Sequence, residues 1–486
     1  ITVGTPFCDI FNLNDPIIEI AITPNRADAA GIYGIARDLA AAGLGKLKTP
    51  EIKSVPAAFE TPVTITIEDE EACPLFLGRL IRNVKNGPSP DWLQKRLTSI
   101  GLRPISTLVD ITNYMTIAMN RPLHVFDADK LRGGITVRMG REGEAFEALN
   151  DKAYSVDESM TCVCDESGVL GLGGIIGGTS SGVDENTTNV VIEAALFDPI
   201  RTAVTGRKHQ INSDARYRFE RGIDTNFTAD GMEMATQMAL DLCGGEAGTV
   251  VQAGTVPEET RQFAFDPALT KKLGGIEISE ARQRDILETL GFTLNGNMAT
   301  PPSWRPDILG SADLVEEVLR IEGYDKIPAT TLPKQRVLTH SAHSPMRRRV
   351  HVTQRALAER GLMESVTWSF MDAGLAKRFE AEPLDAHALT LANPISSDLS
   401  RMRPSILPNL IAAAGRNADR GYPNAALFEV GPVFFGVNPA DQSIMAAGIR
   451  HAQMSNKHWA GGDAGRQVDV FDAKADALAV LEACGV

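Results

Sequence analysis

The chain has 486 residues, 43% of them hydrophobic and 23% charged, which is ordinary for a folded protein of about three domains. Its formal net charge of −14 counts against a protein that binds nucleic acid over its whole surface, because neutralising phosphates requires clustered Lys and Arg, but it is compatible with a local nucleic-acid footprint. No apolar run approaches the roughly 20 residues that span a bilayer, which argues against a membrane protein. The six cysteines form no C-x-x-C pair, so zinc-binding spacing is absent and free thiols in a reducing cytoplasm are expected.

The two ends of the sequence predict a part of a longer protein. The start at Ile1 has no initiator Met, and it lacks the charged segment and apolar core of a signal peptide. The end at Val486 directly follows a helical pattern. Further domains are therefore expected on both sides, and secretion is not.

Stretches rich in Pro and Thr predict linkers that divide the chain into four blocks. They lie at residues 48–56, near 255–260 and at 328–345. Helices and strands follow one another without the regular alternation of a doubly wound sheet. An α+β fold of several domains is therefore predicted.

In the first two blocks, apolar residues recur at helical or strand spacing. Ser89 suits the N-cap of one helix, and Pro90 suits its first turn, where the missing donor costs nothing. The other predicted elements are, in chain order, a helix at residues 28–42, a strand at 63–67, a helix from Leu108 to Met119, strands at 135–138 and 160–164, and a helix at 229–242.

The last two blocks differ in character. The third reads helix, helix, strand, helix, which is compatible with a small winged-helix-like unit. Ser279 predicts the start of a helix that Gly291 ends. The fourth block predicts an amphipathic helix at residues 345–360, then strands at 365–370 and 426–430.

A cluster of carboxylates is the sharpest local motif. Asp313, Glu316 and Glu317 share one helical face, and Asp307 lies in the loop just before that helix. All-oxygen ligation of this kind suits magnesium or calcium. However, acidic residues are also favoured in a first helical turn by the helix dipole, and Arg320 can pair with them. From spacing alone, a solvated charged surface is the favoured interpretation.

A second set of candidate residues is dispersed along the second block. A His beside apolar residues, as at position 124, is more often part of a core than a catalyst. Glu193 is more unusual, because it follows Val-Val-Ile in a probable strand and an unpaired buried carboxylate is costly. Composition alone cannot join the members of this set, which are Arg103, His124, Gly177, Glu193, Ser213 and Ala215.

The glycine-rich segment at residues 171–178 is not interpreted as a nucleotide-binding loop. It lacks the Lys-Ser/Thr of a phosphate-cradling loop, and its glycines are spaced one residue too wide for the dinucleotide fingerprint. No amphipathic helix follows it. A tight β-turn is the favoured interpretation.

Several motifs taken together resemble the beta subunit of bacterial phenylalanyl-tRNA synthetases. They occur in the order of that family and run through essentially the whole chain. They are TPNRAD at residues 23–28, GIARDLA at 34–40, RPISTLVDITNY at 103–114, PLHVFD at 122–127, RYRFERGID at 216–224, SWRPDI at 303–308, DLVEE at 313–317 and GYD at 323–325.

The resemblance implies a domain plan. The family's N-terminal OB-type tRNA-binding domain and its C-terminal anticodon-binding domain lie outside this chain. Four domains are expected, which are an N-terminal remnant at 1–56, an editing domain of mixed α/β structure at 57–256, an acidic winged-helix-like module at 257–335, and an inactive class II synthetase-like domain with an antiparallel sheet at 336–486.

The resemblance also implies a function. It predicts a cytoplasmic α2β2 ligase whose alpha subunit binds ATP and phenylalanine and charges tRNA(Phe), while this chain hydrolyses mischarged tyrosyl-tRNA(Phe). In such an editing site Glu193 would read the tyrosine hydroxyl and Ala215 would leave room for the ring. His124 and Arg103 would hold the tRNA 3′ end or the ester, Gly177 would help to position water, and Ser213 stands where the family usually has Thr.

The resemblance reverses the interpretation of the acidic cluster. It implies a magnesium site formed by Asp307, Asp313, Glu316 and Glu317. Two other hypotheses remain open, which are a magnesium-dependent hydrolase of a small phosphorylated substrate and a non-catalytic interaction scaffold.

Overall fold

A computed structural model describes residues 2–11, 14–257, 261–332, 341–380, 388–454 and 466–486. The chain forms two compact units, Ile1–Thr330 and Thr331–Val486, which we call the first and the second unit. Helices and several separate sheets occur in both, so the predicted α+β class is confirmed. Within the described residues, no helix is long and apolar enough to cross a membrane.

The first unit contains the following elements. Its helices are α1 (Phe7–Ile10), α2 (Ile32–Ala41), α3 (Asp91–Ser99), α4 (Thr107–Met119), α5 (Pro199–Lys208), α6 (Asp214–Phe219), α7 (Phe227–Cys243), α8 (Pro267–Gly274), α9 (Glu280–Thr289) and α10 (Ser311–Glu322). Its strands are β1 (Ile65–Ile67), β2 (Leu75–Arg82), β3 (His124–Asp127), β4 (Ile135–Met139), β5 (Ala145–Glu147), β6 (Ala153–Ser155), β7 (Thr161–Asp165), β8 (Gly168–Leu172), β9 (Ile176–Gly177), β10 (Val190–Leu196), β11 (Glu246–Gly254), β12 (Phe263–Ala264), β13 (Thr293–Asn295) and β14 (Met298–Thr300). Short 3-10 helices lie at Ala27–Ala30 and Tyr324–Lys326.

A four-stranded antiparallel sheet of order β11-β2-β10-β3 forms the centre of this unit. Strand β10 is buried along its whole length, which fits its run of β-branched and small residues. Helices α4 and α7 contact each other, and α7 packs on β2 and β10. The main hydrophobic core joins these elements to buried residues of β4 and β7.

A second, five-stranded sheet of order β1-β4-β7-β8-β9 lies beside this core. The glycine-rich segment at residues 171–178 forms the β8–β9 hairpin, as predicted, with Gly174 at a φ of 70° in its turn. Strands β12, β14 and β13 form a third sheet, which shares a separate core with α9 and α10.

The second unit is built around the β18–β19 hairpin, to which β15 adds in parallel. Helix α11 begins at Pro345, as predicted, and the Ser344 hydroxyl caps it. The elements of this unit are α11 (Pro345–Glu359), β15 (Met363–Glu364), β16 (Phe370–Met371), α12 (Ala373–Lys377), β17 (Arg401–Met402), α13 (Leu407–Ala418), β18 (Ala425–Phe434), β19 (Gln442–His451), α14 (Val470–Ala483) and 3-10 helices at Ser397–Leu399 and Pro439–Asp441.

Two local predictions were wrong. Ser89 does not cap α3, because its hydroxyl donates instead to Asp110 Oδ2 at 2.6 Å, and Pro90 occupies the N-cap. The predicted strand at 365–370 is confined to Phe370 at its end. The Ser365 amide donates to the Phe428 carbonyl of β18 at 2.7 Å, but the Thr367 amide donates to the Glu429 side chain at 3.1 Å.

Candidate active site

Strand pairing brings two of the predicted residues face to face. Glu193 lies in the middle of β10, and its Cα partner on β3 is His124. On the other side its partner is Gly78 of β2, which carries no side chain. Because paired residues of adjacent antiparallel strands project to the same face, the carboxylate and the imidazole meet on one side of the sheet.

That side of the sheet borders a cavity of about 300 Å³. Phe126, Leu172 and Phe219 form part of its apolar wall. Five of the six predicted residues line it, namely His124, Gly177, Glu193, Ser213 and Ala215. A mostly apolar concave pocket with a few convergent polar groups is typical of a small-molecule site.

Two ionisable groups of the pocket, Glu193 and His124, are held in their neutral forms near pH 7, and a third lining residue, Asp214, forms an ion pair with Arg218. Burial raises the pKa of Glu193 to about 8, although the positive charge of Arg121 opposes the rise. Burial lowers the pKa of His124 to about 4. Among the described residues no donor reaches the Glu193 carboxyl group, and His124 Nε2 is buried without a hydrogen-bond partner. Glu193 and His124 therefore offer uncharged hydrogen-bonding groups that no group among the described residues satisfies.

These shifts predict an alkaline loss of stability. A carboxyl group whose pKa rises from 4.5 to about 8 on folding destabilises the fold progressively across that pH range. The His124 shift, from 6.5 to about 4, has the opposite slope but ends at pH 6.5. Between pH 6.5 and 8, Glu193 should therefore lower the free energy of unfolding by about 2 kcal/mol.

The free energy of unfolding is measured by urea unfolding at a series of fixed pH values, and the unfolding is monitored by hydrogen exchange of the β10 amides. The Glu193→Gln variant is the control, because it cannot ionise, and its stability should stay level over the same window. An equal decline in both proteins contradicts the assignment of the slope to Glu193.

Gly177 leaves space for the His124 ring, and its carbonyl oxygen is already bonded. A Cβ atom on Gly177 would lie 2.4 Å from His124 Cε1, so only glycine allows the imidazole to occupy its position. The Gly177 carbonyl accepts a hydrogen bond from the Leu149 amide at 3.0 Å.

Ser213 is committed to the local fold. Its hydroxyl donates to the Ile175 carbonyl at 2.6 Å and accepts from the Arg216 amide at 3.0 Å as the N-cap of α6. Ala215, in the first turn of that helix, faces the pocket. The cap therefore holds α6, and with it Ala215, against the β8–β9 turn.

Arg103 stands apart from the other five residues. Its side chain is exposed in the loop between α3 and α4, and it does not line the cavity. Sequence reasoning missed four polar residues that do, which are Thr112, Asn113 and Thr116 of α4 and Asp214 of α6. For the three residues of α4 the available signal was their helical spacing, because positions i, i+1 and i+4 share one side of a helix.

The acidic residues of the third block are distributed over different partners. Both oxygens of Asp307 accept hydrogen bonds from Arg305 at 2.8 Å. Glu317 is bound by Arg305 and Arg320, and Asp313 accepts from the Leu309 and Gly310 amides at 2.8 and 2.9 Å. Glu316 is exposed.

This arrangement does not fit a shared magnesium ion. Three of the four carboxylates are already bound by arginines or backbone amides. No group of three or more His, Cys, Asp or Glu residues in the described part of the chain is placed to hold a metal. The ion pairs extend to the N-terminal segment, because Arg320 also binds Asp38 at 2.8 Å, and Asp38 binds Arg26 at 3.0 Å. We call this set the arginine–carboxylate network.

Three family models match successive parts of the chain. They are the B3/4 domain at residues 72–244, the tRNA synthetase B5 domain at 263–324 and the phenylalanyl tRNA synthetase beta chain CLM domain at 327–486. The cavity lies within the B3/4 match and the arginine-bound carboxylates within the B5 match. The fold and these domains define a component of the tRNA synthetase class.

Sequence relatives make the assignment specific. The chain is 52% identical to the phenylalanine–tRNA ligase beta subunit of Paramagnetospirillum magneticum and 50% identical to that of Rhodospirillum rubrum, over 100% and 99% of its own length. The chain belongs to the phenylalanine–tRNA ligase beta subunit family, which confirms the resemblance seen in its motifs. It spans 61% of the length of these two relatives.

One solved structure is also similar. It is a crystal structure of an N-terminal fragment of the phenylalanyl-tRNA synthetase beta subunit from Pyrococcus horikoshii, at 18% identity. The similarity covers 63% of this chain and 86% of that fragment, with a TM-score of 0.33.

Proposed function

We propose that this chain is the editing and assembly subunit of a phenylalanine–tRNA ligase, and that its pocket hydrolyses tyrosyl-tRNA(Phe). The observation that carries the proposal is the buried Glu193 carboxyl group, which no donor among the described residues reaches, opposite His124 in a cavity that also contains Ala215.

The pocket's polarity supports tyrosine as the amino acid selected. A synthetic pocket shaped for phenylalanine rejects an isostere with one added hydroxyl only about a hundredfold. A second pocket with a buried polar group can choose the other way, because phenylalanine would leave that group unpaired. Glu193, largely protonated at neutral pH, can both donate a hydrogen bond to a phenolic oxygen and accept one from a phenolic O–H.

The proposed reaction is ester hydrolysis. A water oxygen forms a bond to the tyrosyl carbonyl carbon, and the bond from that carbon to the terminal ribose oxygen breaks. The proton lost by water goes to the ribose oxygen, so the products are tyrosine and uncharged tRNA. His124 is neutral and its Nε2 is free, so it can hold the ester or the water by one hydrogen bond. A proton route through the substrate's own groups is the alternative.

The remaining parts of the proposal concern the assembly. We propose the four domains at residues 1–56, 57–256, 257–335 and 336–486, with a winged-helix-like third domain and an inactive class II synthetase-like fourth one. The partners are an alpha subunit in a cytoplasmic α2β2 heterotetramer and tRNA(Phe). ATP and magnesium belong to the charging reaction at the alpha subunit, and no step is assigned to the four carboxylates.

Gly177→Ala tests the proposed pocket. The added methyl group would overlap the His124 imidazole, so we expect hydrolysis of tyrosyl-tRNA(Phe) to fall by about a hundredfold, as for other misplaced catalytic groups. The measurement is release of labelled tyrosine from tyrosyl-tRNA(Phe) by the chain and its variant.

Gly182→Ala is the matched control. A Cβ there meets its nearest neighbour, the Thr179 carbonyl oxygen, at 3.4 Å, so hydrolysis should be unchanged. Hydrolysis by Gly177→Ala at the wild-type rate would remove the pocket from the reaction. Absence of hydrolysis by every protein, including the chain assembled with its alpha subunit, would leave the scaffold hypothesis. Turnover of a small phosphate ester that Asp307→Ala abolishes would favour the stand-alone magnesium hydrolase.

A further inference from the structure

A buried arginine near the pocket, Arg121, has no part in the reaction proposed above. Arg121 is 1% exposed and belongs to the short turn between α4 and β3. Its Nη2 donates to the Ala195 carbonyl at 2.6 Å, while its Nε and Nη1 are buried without a hydrogen-bond partner among the described residues. A buried guanidinium normally has a carboxylate partner or several acceptors, so this one is unusual.

We infer that Arg121 is a positioning residue for the pocket, which fixes the strand that carries Glu193 and supplies the positive charge that faces its carboxyl group. This inference rests on the proposed function only for its consequence on hydrolysis, because the geometry stands without it.

Arg121 is attached to β10 by its hydrogen bond to the Ala195 carbonyl. Ala195 follows Glu193 by two residues on the same strand, so the two side chains project to the same face. The hydrogen bond from Arg121 therefore holds the backbone next to the carboxylate. Asn120, at a φ of 58°, turns the chain from α4 toward β3, and this turn places Arg121 under the strand.

The aliphatic part of the Arg121 side chain packs against α7. A Cβ on Gly231 of α7 would lie 2.9 Å from Arg121 Cγ, so the glycine leaves a slot for the side chain between α7 and the sheet. A side chain confined in this way holds its charge at a fixed position.

The charge of Arg121 also acts on Glu193. Burial lowers the pKa of Arg121 to about 10, while Asp224 and Glu193 oppose the shift, so the guanidinium remains charged at pH 7. In turn, Arg121 is the one charge among the described residues that limits the rise in the Glu193 pKa. The other titratable groups near Glu193 are His124 on β3, Asp214 on α6, and Cys73 before β2, whose pKa is raised first by burial and then by Glu193. His124 and Cys73 are neutral at pH 7, and Asp214 is paired with Arg218 at 2.8 Å.

Arg121→Gln and Arg121→Lys separate the charge from the hydrogen bond. Glutamine retains a donor without charge, and lysine retains the charge without the planar fork. The readout is the infrared band of a protonated carboxylic acid, assigned to Glu193 by its loss in Glu193→Gln and followed as a function of pH. We expect the midpoint to rise by about one pH unit in Arg121→Gln and to stay near the wild-type value in Arg121→Lys.

Arg79→Gln is the matched control. Arg79 is 2% exposed on the neighbouring strand β2, but it binds Glu233, Gly248 and Val55. Its replacement should leave the Glu193 midpoint unchanged. A folded Arg121→Gln protein with the wild-type midpoint overturns the inference, as does an equal shift in Arg79→Gln. If the glutamine variant does not fold, a midpoint raised by about one pH unit in Arg121→Lys overturns it.

Hydrolysis of tyrosyl-tRNA(Phe) is measured on the same proteins. In Arg121→Gln the pH dependence of hydrolysis should move with the infrared midpoint, a change that a purely structural role would not produce. If the wild-type chain hydrolyses this substrate neither alone nor assembled with its alpha subunit, the proposed function fails, but the infrared titration still decides the role of Arg121.

Discussion

Glu193→Ala should abolish the preference of the pocket for tyrosine. The ratio of hydrolysis rates for tyrosyl-tRNA(Phe) and phenylalanyl-tRNA(Phe) is expected to fall from about a hundredfold or more to near one, because the group that the phenylalanine ring leaves unpaired is gone. The measurement is kcat/KM for both esters under identical conditions. Glu193→Gln should keep part of the preference, since an amide can still donate to and accept from a phenol.

Glu185→Ala is a suitable control, because Glu185 is exposed in a turn within the same domain. Its ratio should equal that of the wild type. If Glu193→Ala retained the full preference for tyrosine, Glu193 would not be the residue that reads the hydroxyl group, and the discrimination would have to come from Thr112, Asn113 or Thr116.

Glu317→Ala should have the largest effect on stability. Glu317 is 1% exposed and bound by Arg305 and Arg320. Burial acts to raise its pKa, but hydrogen bonds from the two arginines outweigh burial and lower it to about 2. Its removal leaves Arg305 buried with less compensation, and we expect the free energy of unfolding to fall by about 3 kcal/mol.

The neighbouring residue supplies the control. Glu316 lies one position earlier on α10 and is exposed, so Glu316→Ala should change the free energy of unfolding by less than about 0.5 kcal/mol. The pKa of Glu317 in the folded protein lies below its ordinary value of 4.5. The stability that Glu317 contributes is therefore fully present above pH 4.5 and is lost as the pH falls toward 2.

Urea unfolding at pH 7, with and without a chelator, measures the free energy of unfolding of the first unit in the wild-type chain and in Glu317→Ala. The arginine–carboxylate network predicts that the chelator has no effect on either protein. A chelator that destabilises the wild type as much as Glu317→Ala does would restore the magnesium interpretation of this cluster.

Local physics accounts for much of what the sequence predicted. The β-branched run Val-Val-Ile indicated a buried strand, and the cost of burying the carboxylate that follows this run distinguished Glu193 from the other acidic residues. Helix α4, the start of α11 at Pro345 and the β8–β9 turn were also predicted correctly, since each depends on residues that are close in sequence.

Long-range contacts account for what the sequence could not show. Glu193 and His124 meet only through the register of β10 and β3, which no spacing rule predicts. Asp38 joins Arg320 across most of the first unit's sequence, so the competition of arginines for the acidic residues was invisible. In the segment predicted as a strand at 365–370, the Thr367 amide donates to the Glu429 carboxylate, a partner distant in sequence, and the strand is confined to Phe370.

The opposition of Glu193 and His124 is set by backbone hydrogen bonds between strands and not by a loop. A loop-built pocket can drift as its loop moves, but here neither residue can shift without breaking the ladder of the central sheet. Insertions into the exposed turn around Glu185, between β9 and β10, should therefore leave the two side chains in place. Conversely, the pocket can form only once the sheet has closed, so selectivity for the hydroxylated amino acid should appear together with the native core during refolding.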